Sequence, residues 1–251
     1  MSTKNGTKTV LVTGGGAGMG QSMVRRFHEE GYRVAAFEVV PTRLAETLGE
    51  FGDSDRIFGV VGDVSDPDDV TRAVDATLER FGSIDIVCNN AGILGEGLAG
   101  EMTLETWHRV IGVNLTGVFL MCRATIPHMV AQGKGVFVNT ASSSAFVGGG
   151  GDVAYTASKH GVVGITRAIA VEYAKQGIRA NALCPGATAT PMTASYRGPN
   201  GGPYDEFIAA TPAGRWAQPE EMAELALFLA SDAADFVHGA AWCIDGGWTA
   251  L

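Results

Sequence analysis

The sequence has no C-x-x-C pair and no cluster of histidines with cysteines. Its four cysteines, Cys88, Cys122, Cys184 and Cys243, stand apart in apolar surroundings. They read as small buried hydrophobes in a reducing compartment, not as a disulfide framework. The five histidines, His28, His108, His128, His160 and His238, form no H-x-x-x-H spacing, so no metal site is expected. Positive charge is in the minority, with 18 Lys and Arg against 27 Asp and Glu and a formal net charge of -9. That balance argues against nucleic acid or an anionic membrane as partner. No uninterrupted apolar run approaches membrane-spanning length, and Met1 to Lys8 is polar, without a signal peptide's apolar core. A soluble, cytoplasmic protein is expected.

What is present is alternation. Short apolar runs at Thr9–Thr13, Arg33–Glu38, Arg56–Val61, Ile84–Asn89, Gly135–Thr140, Arg179–Cys184 and Ala241–Ile244 predict seven strands. Helical patterns fall between the first six, near 18–30, 41–50, 66–81, 103–131 and 153–176, and another at 219–231 precedes the last strand. Such alternation requires right-handed crossovers and a parallel sheet covered on both faces. With 46% hydrophobic residues over 251 positions, the chain can bury a substantial core in one domain. The expected fold is α/β: a single doubly wound Rossmann domain over 1–251, with a seven-stranded parallel sheet and helices on both faces.

The first strand runs into Thr13-Gly14-Gly15-Gly16-Ala17-Gly18-Met19-Gly20, a T-G-x-x-x-G-x-G spacing in which Met19 departs from the G-x-G-x-x-G register. Glycines allow a tight turn and bring backbone close to a pyrophosphate at a helix N-terminus, where free N–H groups favour anions. The second strand ends at Glu38, whose carboxylate can accept from both hydroxyls of an adenosine ribose and would repel a 2′-phosphate. The glycine loop holds no Arg or Lys, and Arg43 is the nearest cation downstream, so the expected cofactor is NAD. Asp63 and Val64 follow the third strand, and Asn90, Ala91 and Gly92 the fourth, at the carboxyl ends where open parallel sheets bind ligands. Asp63 could accept from an adenine amino group or cap the helix near Asp66-Pro67. Asn114, within a helical pattern, could be a satisfied core amide or could fix a helix irregularity and a water.

Tyr155 and Lys159 lie four apart in a helical pattern and share a face. An ammonium beside a phenol favours the phenolate and draws the Tyr pKa down from about 10, as an acid/base working near neutrality requires. Ser142 follows the Gly135–Thr140 strand, where a hydroxyl could hold a carbonyl oxygen.

Taken together, Thr13–Gly20, Asn89–Gly92, Asn114, Ser142, Tyr155-x-x-x-Lys159 and Pro185-Gly186 follow the order and spacing of one family. Over essentially its whole length the chain resembles the short-chain dehydrogenase/reductase family. The ending Trp242–Gly247 and the stretch Thr211–Trp216 are similar to its 3-oxoacyl-reductase-like branch. The resemblance implies an Asn114–Ser142–Tyr155–Lys159 tetrad around a nicotinamide. In it, Ser142 orients the substrate oxygen, Tyr155 transfers the proton, Lys159 holds the nicotinamide ribose, and Asn114 anchors a water. It implies nicotinamide contacts from Pro185, Gly186, Thr188 and Thr190, a homotetramer, and a small-molecule secondary alcohol or ketone as substrate. A 3-oxoacyl-thioester reductase using NADPH and a non-catalytic NAD-binding sensor are the alternatives. Two glycine-rich stretches border the reaction centre: Phe146 to Asp152, and a long loop from Thr190 to Thr211 expected to be a substrate lid carrying Tyr196, Arg197, Tyr204 and Phe207. Ile93, Leu94 and Gly95 are expected to add an apolar wall.

Overall fold

In the computed structural model, seven parallel strands form one sheet in the order β3-β2-β1-β4-β5-β6-β7. They are β1 (Thr9–Thr13), β2 (Arg33–Glu38), β3 (Ile57–Val61), β4 (Ile86–Asn89), β5 (Gly135–Thr140), β6 (Ile178–Pro185) and β7 (Ala241–Ile244). The structure describes residues 7–148, 152–197, 202 and 204–251. The expected Gly149, Gly150 and Gly151 of the first glycine-rich stretch lie outside them, as do Gly198, Pro199, Gly201 and Pro203 of the second.

The helices are α1 (Gly18–Glu29), α2 (Pro41–Gly49), α3 (Pro67–Phe81), α4 (Leu104–Ile111), α5 (Gly117–Gln132), α6 (Val153–Tyr173), α7 (Asp205–Ala210) and α8 (Pro219–Ala230). Both faces of the sheet are covered, which is why its strands read as continuous apolar runs. In β1, Leu11 packs into the core shared with α3, α5 and α6, while Val10 and Val12 pack into the core shared with α1 and α8. The 104–132 segment has the length and apolarity of a membrane span, and here it forms part of the first of these layers.

Beyond shifts of one or two residues at the ends of β3, β4 and β6, two features differ from the expected elements. The helix expected over 103–131 is interrupted by a π-helical turn, Gly112–Thr116, with the fully buried Asn114 inside it. The stretch expected as a loop over 190–211 contains a 3₁₀ turn at Pro191–Tyr196 and the short helix α7. Its helical periodicity is too brief to stand out among glycines and prolines. Asp66, not Asp63, caps α3, accepting from the amides of Asp68 and Asp69.

The ends of β4 and β5 are joined by a buried polar strip. Asn89 Nδ2 donates to Asn139 Oδ1 at 2.8 Å, Asn139 Nδ2 donates to Thr166 Oγ1 at 2.9 Å, and Thr166 Oγ1 donates to the Val162 carbonyl at 2.7 Å. This ties the sheet to α6. Asn139→Ala leaves the Asn89 amide without its partner and opens a void, and should lower unfolding free energy by about 2–3 kcal/mol. Denaturant midpoints of the two proteins measure it, and an unchanged midpoint would show that the strip carries no stability.

Candidate active site

The strand order reverses between β1 and β4, and the cleft opens there. Thr13 Oγ1 accepts from the amides of Asn90 and Ala91, both at 3.0 Å, and Asn90 Nδ2 donates to the Thr13 carbonyl at 3.1 Å. The chain after β4 is thereby held against the glycine turn. Gly14 adopts φ 65°, and a side chain at Gly20 would collide with the Gly14 carbonyl, so the turn can close this tightly only with glycine at both places.

A cleft of about 630 Å³ runs along this edge. Of the residues expected from the sequence, Gly14, Gly18, Met19, Glu38, Asp63, Val64, Asn90, Ala91, Gly92 and Thr190 line it. Gly20 packs beneath the turn. Ala17 of the glycine turn and Arg43 also line it, as do Phe37, Glu96, Arg109 and Val113, which no motif marks.

The cleft fits a dinucleotide by its donors. The N-terminus of α1 has no side-chain cap and no acidic residue in its first turn, whereas α3 has an Asp cap and two further aspartates there. The amides at the start of α1 are left for an anion. Glu38 is buried, with Oε2 accepting from Gly16 N at 3.1 Å and Oε1 from Val40 N at 3.0 Å. Each oxygen keeps a lone pair for a further donor. The Asp63 carboxylate accepts from both the amide and the hydroxyl of Ser65, which holds it at the rim.

Ser142, Tyr155, Lys159 and Asn114 converge beyond Gly92. β4 ends at Asn89, paired with Asn139, so Thr140 lies one position past the last pair of that ladder. Its carbonyl accepts from Lys159 Nζ at 2.7 Å. Lys159 Nζ is 5.4 Å from the centre of the Tyr155 ring, and a Cβ on Gly92 would stand 3.6 Å from that nitrogen and 3.4 Å from Asn114 Oδ1. Ser142 caps a 3₁₀ turn, its Oγ accepting from Ser144 N at 3.1 Å, and its side chain faces the Tyr155 phenol. Asn114 sits in the π-turn with its amide fully engaged: Oδ1 accepts from Ile93 N at 2.8 Å, and Nδ2 donates to the Ile93 carbonyl and to Ser158 Oγ. It extends the strand edge past β4.

One expectation is reversed in the protein alone. The Tyr155 phenol is pushed up to about 12, chiefly by burial; the Ser142 side chain pulls it back, and the charge of Asp152 raises it further. Lys159, also buried, is pushed down to about 8. Burial penalises the charged form of both groups, and the ammonium is turned toward the Thr140 carbonyl.

Pro185 ends β6, and Gly186 and Thr188 follow it, outside the large cleft; Gly186 lines a smaller cavity of about 210 Å³ together with Thr211 and Asp245. The segment after β6 returns over the cleft as the Pro191–Tyr196 turn, where Thr193 Oγ1 donates to the Thr188 carbonyl at 2.7 Å. Tyr196 donates to Glu96 Oε1 at 3.2 Å, joining this turn to the segment after β4. Tyr196 stacks on Tyr204 at 4.6 Å between ring centres, Tyr204 meets Phe207 and Trp216, and Phe207 meets Trp248 at 4.4 Å. The aromatics expected on a substrate lid form a half-exposed cluster with one another.

The chain is similar to known proteins over nearly its whole length. Residues 14–249 match the family model described as enoyl-(acyl carrier protein) reductase. The chain is 40% identical over 250 residues to a 2-(R)-hydroxypropyl-CoM dehydrogenase of Xanthobacter autotrophicus (strain ATCC BAA-1158 / Py2), covering 98% of this chain and 100% of the other. It superposes on the crystal structure of a levodione reductase with a TM-score of 0.92 at 38% identity, covering 98% of this chain and 100% of that one. A 3-ketoacyl-(acyl-carrier-protein) reductase from Brucella melitensis, complexed with NADH, superposes with a TM-score of 0.90 at 36% identity, covering 96% and 98%.

The position of Lys159 has a consequence for stability. Its folded pKa of about 8 lies below the ordinary 10.5, so the cost of holding a buried ammonium is full below pH 8 and gone above pH 10.5. That cost is about 3 kcal/mol, net of the bond to Thr140. Lys159→Met, of similar volume, should therefore be more stable than the parent at pH 7, and its advantage should shrink as pH rises toward 10.5. Urea unfolding at two pH values measures this; a variant less stable at both would show that the ammonium carries no such cost.

Proposed function

This chain belongs to the short-chain dehydrogenase/reductase family and interconverts an alcohol CH–OH group with its carbonyl, and from that premise we propose that Tyr155 is the acid/base of the reaction, with NAD as cofactor. The observation that carries the reading is the phenol itself: partly buried, faced by the Ser142 side chain, with Lys159 Nζ 5.4 Å from the centre of its ring. Nicotinamide, when bound, supplies or accepts the hydride. Everything else falls to the protein.

The uncapped start of α1, with Gly14, Gly18, Met19 and Gly20, holds the pyrophosphate; Glu38 takes the adenosine ribose hydroxyls; Asp63, Val64, Asn90, Ala91 and Gly92 form the adenosine floor. Pro185, Gly186, Thr188 and Thr190 border the nicotinamide. Ser142 donates to the substrate oxygen and holds it against Tyr155. In ketone reduction the phenol gives its proton to that oxygen; a phenol protonated up to about 12 is ready for this direction throughout the neutral range. Lys159 fixes the ring from behind and holds the ribose, and Asn114 keeps the backbone of Ile93 in place. Residues 190–211 act as the lid that excludes water. Exposed apolar side chains on α5 and α6, Phe119 and Val171, are read as contacts of a homotetramer.

A second reading, reduction of a 3-oxoacyl thioester, has support from the Brucella melitensis relative, whose structure contains NADH; an NAD preference therefore does not separate the two. A panel of secondary alcohols, ketones and a 3-oxoacyl thioester, followed by NADH absorbance, decides between them.

Tyr155→Phe should leave cofactor binding intact and lower turnover by roughly 10²–10⁴-fold. Near-parental turnover would remove Tyr155 from this role. Cofactor choice rests on Glu38, next to which Arg43 also lines the cleft. A phosphate dianion against the Glu38 carboxylate should cost NADP on the order of 10²-fold in kcat/KM relative to NAD. Glu38→Ser removes the repulsion and leaves Arg43 in place, so the preference should fall or invert. A parent that uses both cofactors equally would sink the assignment and make Arg43 the phosphate's partner.

A further inference from the structure

Asp152 stands three residues before Tyr155, at the N-cap of α6, and its carboxylate is divided between two structures. Oδ1 accepts from the Tyr155 amide at 2.8 Å. Oδ2 accepts from the Gly95 amide at 2.9 Å, in the segment that follows β4. The backbone of Asp152 also bridges to Gly97, and its carbonyl accepts from Thr156 N at 3.1 Å. Gly95 is closely packed: a Cβ there would stand 2.5 Å from Val110 Cγ2, so the segment lies directly against α4. An ordinary cap needs only the first of these bonds. The second makes one side chain the joint between the loop after β4 and the first turn of the helix that carries the phenol.

We propose that Asp152 is the positioning residue of Tyr155: by tying the amide of Tyr155 to that of Gly95, it sets where the phenol stands and the electrostatic field in which it ionises. The inference rests on the reading of Tyr155 as acid/base. The phenol is faced by Ser142 from the turn after β5, by Asp152 from its own helix, by Tyr204 from the segment before α7, and by the Lys159 ammonium behind the ring. Asp152 is faced in turn by the Gly95 and Tyr155 amides and by Glu96, which bonds Tyr196. Burial raises the Asp152 carboxyl above its ordinary value, the two amides pull it back, and Glu96 raises it again. A negative charge beside the phenol opposes phenolate formation, so removing that charge must lower the phenol's pKa.

Three variants separate the joint from the charge. Asp152→Ala removes both bonds. Asp152→Asn keeps an acceptor for the Tyr155 amide, loses the bond to Gly95 and removes the charge. Asp152→Ser keeps the cap alone. With a secondary alcohol and NAD, Asp152→Ala should lose kcat by about 10–100-fold, the usual penalty for a displaced reacting group, with the Kd for NAD unchanged. Asp152→Asn should recover most of that loss, Asp152→Ser less. In Asp152→Asn the alkaline limb of alcohol oxidation should move to lower pH by about half a unit or more.

A second measurement needs no turnover. Ultraviolet difference titration of tyrosinate, each protein against its own Tyr155→Phe counterpart, isolates the phenol, and its step should lie lower in Asp152→Asn than in the parent. Parental kcat in Asp152→Ala, whatever its thermal stability, would overturn the proposal, as would a tyrosinate step that stays in place when the charge is removed. If the parent oxidises no secondary alcohol with either cofactor, the reading of the reaction fails. The tyrosinate titration then decides the part played by Asp152 alone, a lowered step supporting it and an unmoved one overturning it.

Discussion

The site depends on where β4 stops. Its ladder with β5 ends at the Asn89–Asn139 pair, and the chain then turns away, its next two amides captured by Thr13 Oγ1. That single hydroxyl pins the chain after β4 beside the end of β1, at the edge of the cleft. The same departure leaves the Thr140 carbonyl past the end of the ladder, where it becomes the acceptor for Lys159. It also carries Gly92 and Ile93 out to a place no strand supports, and Asn114 supplies the missing edge by pairing with the Ile93 backbone. Cofactor floor, lysine seat and asparagine anchor are three results of one divergence between neighbouring strands.

Much of this was legible in the amino-acid sequence because the relevant signals are local. A fully buried parallel strand must be an apolar run, and Thr9–Thr13, Arg33–Glu38 and Gly135–Thr140 are such runs, with observed bounds that match those expected. β4 is shorter than expected because Ile84 and Asp85 are as buried as a strand while lying before it. Glycine spacing likewise announces a tight turn, since no other residue can close it. The π-turn was foreshadowed by an amide where an apolar face should be.

What was not legible depends on contacts distant in sequence. The pKa shifts of Tyr155 and Lys159 follow from how deeply each is buried and from which carbonyl the ammonium meets, neither of which a four-residue spacing encodes. The aromatic cluster joins Tyr196, Tyr204, Phe207, Trp216 and Trp248 from four separate stretches, so the sequence suggested a lid loop but not which rings would meet. Asp152 is an intermediate case: an acidic residue just before a helical run is a recognisable cap, but its second partner, Gly95, is 57 residues away.

The π-turn at Gly112–Thr116 has a further consequence, in terms of chain length. A π-turn accommodates one residue more than the surrounding α-helix would in the same rise. Removing that residue would restore an unbroken helix from Leu104 to Gln132 and improve its hydrogen bonding. It would also rotate everything on one side of the deletion by about 100° relative to the other. Arg109 and Val113 would leave the cleft, or Asn114 would leave Ile93. Substitutions along this segment change a side chain, whereas an insertion or deletion changes which face the whole helix presents. The site is therefore expected to tolerate variation in the identity of these residues far better than variation in their number.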